Sequence, residues 1–543
     1  MLSRVSIYLV FLLFEGISAS PSLPIAHGKQ GSFLPSTEAA IKHGPQIFNA
    51  LHDAMRQFGS SIHHNGMSLF QATMPTGTIL YHGSYSTDVP ERLEWLAFEI
   101  EHAENFARGR LRRRDNASDI FMSDNASQKP LESRQPKVHH QLDDFRTTES
   151  SLDGSITVSR DRGRCFDKWN PDDCEFTSGY LHVFQALRPL NLLYIDGMAA
   201  AKSGMGSNDI EDFVVAGNRT RSFLEDFVRA AELCEWGEAW HIDGFIRMEP
   251  GFEVVYCNFR DGALQRLSVT RRPRQMFSMS DLMYDKFEWM RAASQRYHGF
   301  AAGRVVLDYS SMVSAYFYPL NLTNPNATRP ELPRLLSATD AELAVIKAHL
   351  ERKTPAARGE TSSQGGTDWQ GVTDMVVTRY ADVLQLGSKC ETVEAMKRFL
   401  DHLLMMYIDH EQDKVDLRKA EQSCAKHYLL GTVTTTPEEE LIYAGILATT
   451  RLICDTLFRA YEVVQNSEPD VESLTEAVSL VQGLMDTLRW SKWKECGPCA
   501  SNEICYVAMW PFGNTEDHFS PSCLNASSTF DRDSYWTWEW PYW

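Results

Sequence analysis

Cys496-Gly-Pro-Cys499 has the spacing of a redox dithiol, a chemistry that needs an N-terminal thiol of lowered pKa at a helix start. Its surroundings point elsewhere. It follows a Trp/Lys-rich segment, and Cys505 and Cys523 come soon after, so structural disulfides among Cys496, Cys499, Cys505 and Cys523 are expected. Asp196-Gly-Met-Ala-Ala-Ala-Lys202-Ser203 sits where a phosphate loop would, but Asp196 and Ala201 occupy the places of its two required glycines. His63-His64 and His139-His140 lack a third ligand in the pattern and read as surface-loop residues rather than zinc ligands. The remaining constellation is spread over the first half of the chain. It runs Gly77-Thr-Ile-Leu-Tyr-His82-Gly-Ser84, Glu99-Ile-Glu-His-Ala103-Glu-Asn-Phe106-Ala107-Arg108, Tyr180-Leu-His-Val-Phe184, and Ile242-Asp-Gly-Phe-Ile-Arg-Met-Glu249-Pro-Gly-Phe-Glu253-Val-Val-Tyr256.

That order of a strand ending in Tyr-His-Gly, a helix with Ala-x-x-Phe-Ala, central strands and a late strand entered through Glu resembles the core of ADP-ribosyltransferase-like folds over residues 68–260. The resemblance implies that His82, with Gly83 beside it, holds the nicotinamide-side ribose of NAD, and that Glu253 stabilises the cation formed as the glycosidic bond breaks. NAD is then a substrate rather than a resident cofactor. The chain carries Leu96-Ala97-Phe98 and Gly251 where arginine-modifying members of that family have a Ser-Thr-Ser strand and a second acid, so the histidine-bearing branch is the nearer match. Leu192-Leu-Tyr-Ile-Asp-Gly-Met198, the stretch from Asp243 to Glu253 and the Cys/Trp-Pro-Phe-Gly tail also resemble a family of secreted fungal proteins with no assigned activity.

The elements that must position these residues follow from periodicity. A helical pattern over 38–58 closes at Gly59, and strands are expected at 68–72, 78–81, 180–186, 190–195, 244–248 and 252–259. Helices are expected over 99–108 and 209–235, and from 280 to 490 the pattern turns helical throughout. Thr436-Pro437-Glu438-Glu439 is a helix start, with Thr as cap, Pro at the first helical position and Glu three residues after the cap.

At the N-terminus, Arg4, the apolar run 7–14 and small residues at Gly16, Ser18, Ala19 and Ser20 form a secretory leader, and no later stretch reads as a membrane span. Export makes disulfides the default for the eleven cysteines. It also makes the sequons at Asn116, Asn125, Asn218, Asn321, Asn326 and Asn525 candidate glycan sites. The formal net charge of −19 argues against nucleic acid as a partner. Trp536, Trp538 and Trp540 alternate, which in extended chain puts three rings on one face, either packed on the chain itself or offered to a glycan.

The expected protein is an exported α+β glycoprotein. Its parts are a leader at 1–20, a mixed α/β domain at 21–108 and 163–275 with an ADP-ribosyltransferase-like core, a disordered insertion at 109–162, a helical region at 276–490 and a disulfide-stapled aromatic tail at 491–543. Two functions remain open. One is ADP-ribosyl transfer from NAD, or NAD hydrolysis, by His82 and Glu253; the other is a non-catalytic secreted effector, binding or structural protein engaging an extracellular protein or glycan.

Overall fold

The computed structural model describes residues 33–109, 111–113, 174–222, 225–272, 279–296, 304–358, 366–410, 416–466 and 471–536. The leader, most of the expected insertion, Asn116, Asn125, His139, His140, Cys165, Trp538 and Trp540 lie outside the described residues.

The chain opens with three short helices, α1 (Thr37–Lys42), α2 (Gly44–His52) and α3 (Gln57–Ile62), where periodicity predicts one. Pro45 near the start of α2 and Met55 at φ 56° explain the breaks: proline favours a helix start over an interior, and a left-handed residue cannot continue a helix. The strands are β1 (Asn65–Met74), β2 (Ile79–Ser84), β3 (Glu94–Ala97), β4 (Leu111–Arg113), β5 (Cys174–Phe176), β6 (Tyr180–Ala186), β7 (Leu190–Gly197), β8 (Gly244–Glu249), β9 (Gly251–Tyr256), β10 (Leu264–Arg271) and β11 (Val306–Ser314). Nine of them form one mixed sheet in the order β10-β6-β2-β3-β9-β8-β7-β1-β11, with β7–β8 its parallel pair.

β11 lies inside the stretch expected to be wholly helical. Asp308 and three serines break up its apolar residues, which hides the alternation, yet Ser314 and Val313 pair with Ser68 and Leu69 and close that edge of the sheet. β10 also escapes the sequence pattern. It is mostly exposed, with Leu267 and Val269 facing solvent, as an edge strand with few core positions would be.

Between the strands lie α4 (Ile100–Phe106), a π-helical segment (Ile210–Ala216), α5 (Asp226–Ala239) and α6 (Met279–Arg291). The helical region follows with α7 (Asp340–Lys353), α8 (Trp369–Gly387), α9 (Val393–Leu404), α10 (Leu417–Lys426), α11 (Pro437–Asn466) and α12 (Val471–Leu488). Thr436 Oγ1 accepts the Glu439 N–H and caps α11 as its sequence predicts. α11 is long and apolar enough to cross a membrane by length and composition. Its Ile442, Ile446, Ile453 and Leu457 are buried within the protein, as in a core helix.

Four disulfides are present among the described residues: Cys234–Cys257, Cys424–Cys454, Cys496–Cys505 and Cys499–Cys523. Cys496 and Cys499 therefore each bond to a different partner rather than to each other. The last two bridges staple the tail, where Cys505 and Cys523 face one another across the β12 (Glu503–Tyr506) and β13 (Ser522–Asn525) pair. The tail packs inward. Trp536 Nε1 donates to Phe512 O at 3.0 Å, and Tyr535 OH lies 2.7 Å from His64 Nε2, so His64 is a buried packing residue rather than a loop one. Among the sequons, Asn321 and Asn326 are exposed, while Asn218 and Asn525 are half-buried.

Candidate functional site

The strand register decides how the predicted residues relate. Residues directly opposite on neighbouring strands point to the same face, and successive residues alternate. Tyr81 pairs with Ala97, and Ala97 with Glu253, so these three share a face. His82 therefore points to the other one. Its neighbours agree: His82 Nδ1 bonds Trp95 O at 2.8 Å, and its ring lies 5.8 Å from His182 and 6.4 Å from Phe259. Burial pushes its imidazole down to about 4. Gly83 returns to the Glu253 face, where a side chain at Gly83 would strike Ala103 O of α4 at 2.1 Å. The two side chains assigned to a shared NAD site are thus separated by the sheet itself, because they sit at odd and even positions of one register.

Glu253 belongs to a buried ionic network instead. Arg247, opposite it on β8, reaches Glu253 at 2.7 Å, Glu211 at 3.0 Å and Asp226 at 3.0 Å. Arg229 pairs with Asp212 at 2.8 Å, as does Arg221, and Lys202 pairs with Glu249 at 3.1 Å and Asp226 at 3.4 Å. His102 of α4 lies 3.0 Å from the far oxygen of Glu249. These side chains are all nearly inaccessible, and Trp510 of the tail covers Lys202 with its ring centre 4.8 Å from Nζ. A buried network of this kind fixes α4, α5 and the π-helical segment on one face of the sheet.

A cavity opens elsewhere, where α2, the α3–β1 junction and the end of β7 meet. It has a volume of about 290 Å³, and its wall includes Asn49, Asp53, His63, Asn65, Asp196 and Tyr316. Close backbone approach builds it. A side chain at Gly66 would strike Asp196 O at 2.0 Å, and one at Gly197, with φ 72°, would strike Gly66 N at 2.4 Å. Only glycine permits both, so β1 and β7 touch and Asp196 is delivered beside the residues that follow α3. Asp196 Oδ1 accepts the Gly197 N–H at 2.8 Å.

Asp53, just after α2, is 2 % exposed and spans the wall. Its Oδ2 lies 2.7 Å from His63 Nδ1, and its Oδ1 accepts from Ser491 Oγ at 2.8 Å. Room for this carboxylate depends on Gly59, where a Cβ would fall 2.1 Å from Asp53 Oδ1. Burial opposes the charge on Asp53, but hydrogen bonds from His63 and Ser491 and the field of His63 and His52 outweigh it and hold the carboxyl below its usual range. Asp196 goes the other way. Burial, reinforced by the nearby Asp53 charge and opposed by the Gly197 and Met67 amides and by His63, pushes its carboxyl up to about 7.

Burial and Lys42 push the imidazole of His43, also on the wall, down to about 4, which keeps that ring neutral. Asn49 donates through Nδ2 to Leu488 O at 2.9 Å, while its buried Oδ1 has no hydrogen-bond partner. The cavity therefore combines an Asp–His pair, a second carboxyl able to hold a proton near neutrality, and an acceptor without a donor. The sequence pattern shows the His63-His64 pair without its partner. Asp53 is ten residues away across a helix, and Asp196 comes from a different part of the sheet, so periodicity carries no signal of the grouping.

Residues 38–281 match the family model described as the YPL277C N-terminal domain. The chain is 23 % identical to the uncharacterized protein YOR389W of Saccharomyces cerevisiae, over 87 % of this chain and 82 % of that protein. It is 29 % identical to the uncharacterized protein YPL277C of the same yeast, over 41 % of this chain and 42 % of that protein. No solved structure matches the chain. The segment matched by the family model contains Asp53, His63 and Asp196 as well as most of the ionic network, and these similarities support an uncharacterised fungal family.

Proposed function

We propose that the chain is an exported hydrolase that works by general acid–base catalysis in the Asp53–His63–Asp196 cavity. The observation that carries this reading is the opposite displacement of two carboxyl groups on one wall, Asp53 held ionised and Asp196 pushed up to about 7. Pairs of titratable groups pushed apart in this way divide acid and base roles between them. With Nδ1–H donated to Asp53, His63 keeps Nε2 as the base that takes a proton from water, and Asp53 stabilises the imidazolium that forms. Asp196 in its protonated form then gives its proton to the leaving group. Asn49 Oδ1 supplies an acceptor for a substrate hydroxyl.

The substrate that fits is a small, hydroxyl-rich group, because the cavity of about 290 Å³ is polar along the acidic wall and near the lower limit of ligand pockets. Four disulfides among the described residues support export, together with the leader-like N-terminus. An NAD site on His82 and Glu253 has no comparable support, since the two side chains point to opposite faces of the sheet. The test is turnover of chromogenic glycosides, acyl esters and NAD by the purified full-length chain beside Asp196→Asn and His63→Gln. Hydrolysis of a hydroxyl-rich substrate that falls by about 10²–10⁴ in both variants is expected. No turnover across the panel, or equal turnover by Asp196→Asn, overturns the reading.

A further inference from the structure

Two of the buried polar atoms in and beside the ionic network that lack a partner lie close together. His102 Nδ1 and Glu99 Oε2 are both buried without a hydrogen-bond partner, on residues 2 % and 1 % exposed. Both face the same small space. The point where a side chain on Gly251 would begin lies 2.8 Å from Glu99 Oε2 and 3.0 Å from His102 Nδ1. Buried polar atoms left unpaired cost roughly 1–3 kcal/mol each, so two of them converging on one space marks a place where something polar belongs.

The surrounding donors indicate what. One atom each from His102, Glu249 and Glu253 lie within 4.8 Å of one another, and all three residues are buried. His102 Nε2 already meets Glu249 Oε1 at 3.0 Å. A ring held through one nitrogen by a carboxylate, with the other nitrogen unpartnered and the Glu99 carboxyl beside the same space, is the arrangement of a metal-ligating histidine and its orienting partner.

We propose that Glu99, His102 and Glu253 bind one divalent cation of the zinc type in the space beside Gly251, with Glu249 orienting the His102 ring. A set of one imidazole and carboxylates suits zinc better than magnesium or calcium, which take oxygen ligands. The cation clamps α4 to the β8–β9 hairpin. This site lies apart from the cavity and does not depend on its chemistry.

The experiment is elemental analysis of the full-length protein after dialysis, with thermal unfolding before and after chelation and on adding back Zn²⁺. One zinc per chain is expected, with a lower unfolding temperature on chelation that Zn²⁺ restores and Mg²⁺ does not. Glu99→Gln, which keeps the shape of the side chain, is expected to reduce bound zinc at least tenfold. Absence of zinc together with no response to Zn²⁺ overturns the proposal, as does undiminished zinc in a folded Glu99→Gln protein. X-ray absorption at the zinc edge of the unmutated protein decides the case even if that variant fails to fold. A shell of nitrogen and oxygen alone supports the site, whereas sulfur in the shell places the metal at cysteines and overturns it.

Discussion

Asp53 Oδ2 sits 2.7 Å from His63 Nδ1, the two residues lying on either side of α3, and the absent side chain of Gly59 leaves the space for it. A methyl group at residue 59 would fall 2.1 Å from Asp53 Oδ1, so Gly59→Ala must displace the carboxylate from both His63 and Ser491. The expected outcome is loss of hydrolytic activity with a fall in stability. Gly483→Ala is the matched control: it sits inside α12 with nothing within 4 Å of its new methyl, and is expected to stabilise by up to about 1 kcal/mol. Denaturant midpoints and turnover of the two variants check the pair.

The raised carboxyl of Asp196 makes a signed prediction about stability. Folding keeps its proton up to about pH 7, whereas the unfolded chain releases it near 3.8, so the native state binds more protons between those values. Stability from this group is complete below pH 3.8 and is lost as pH rises through 7. Asp196→Asn mimics the protonated form and is therefore expected to flatten the decline in unfolding free energy from pH 4 to 7.5. A slope identical to that of the unmutated protein would mean that Asp196 ionises normally in the fold.

Arg247 joins three carboxylates at the centre of the network and is fully buried there. Arg247→Met keeps the bulk but leaves Glu211, Asp226 and Glu253 with too little positive charge. A loss of about 3–5 kcal/mol in unfolding free energy is expected. Urea unfolding of the full chain measures it, and a loss below about 1 kcal/mol would show the pairs to be screened as surface pairs are.

The tail is part of the folded body. Tyr535 and Trp536 are buried and reach His64 and Phe512, so truncation after Phe530 exposes an aromatic pocket rather than removing a ligand platform. Lower thermal stability, with new binding of a hydrophobic dye, is the expected result. A truncated protein with unchanged unfolding temperature would restore the ligand-platform reading of these rings.

Much of the sheet was legible because its strands keep the signals that periodicity detects. β6 to β9 have apolar runs bounded by turns, and α11 announces itself through Thr436, Pro437 and Glu439. β11 was hidden by its serines and Asp308, and the single helix expected over 38–58 is broken near Pro45 and again at the left-handed Met55. The cavity was not legible. His63 was visible as a histidine, but its meaning depends on Asp53 on the other side of α3, and Asp196 arrives only because Gly66 and Gly197 let two strands touch. Glu253 was legible as a late-strand carboxylate, while its partner Arg247 is fixed by the β8–β9 register, which a linear pattern does not display.

Turnover against pH, for the unmutated chain and for Asp196→Asn on the same substrate, tests the acid–base assignment most directly. The rate is expected to fall above about pH 7 as Asp196 loses its proton, and the variant to be at least roughly 100-fold slower without that fall. A variant that keeps both the rate and the alkaline limb would contradict it.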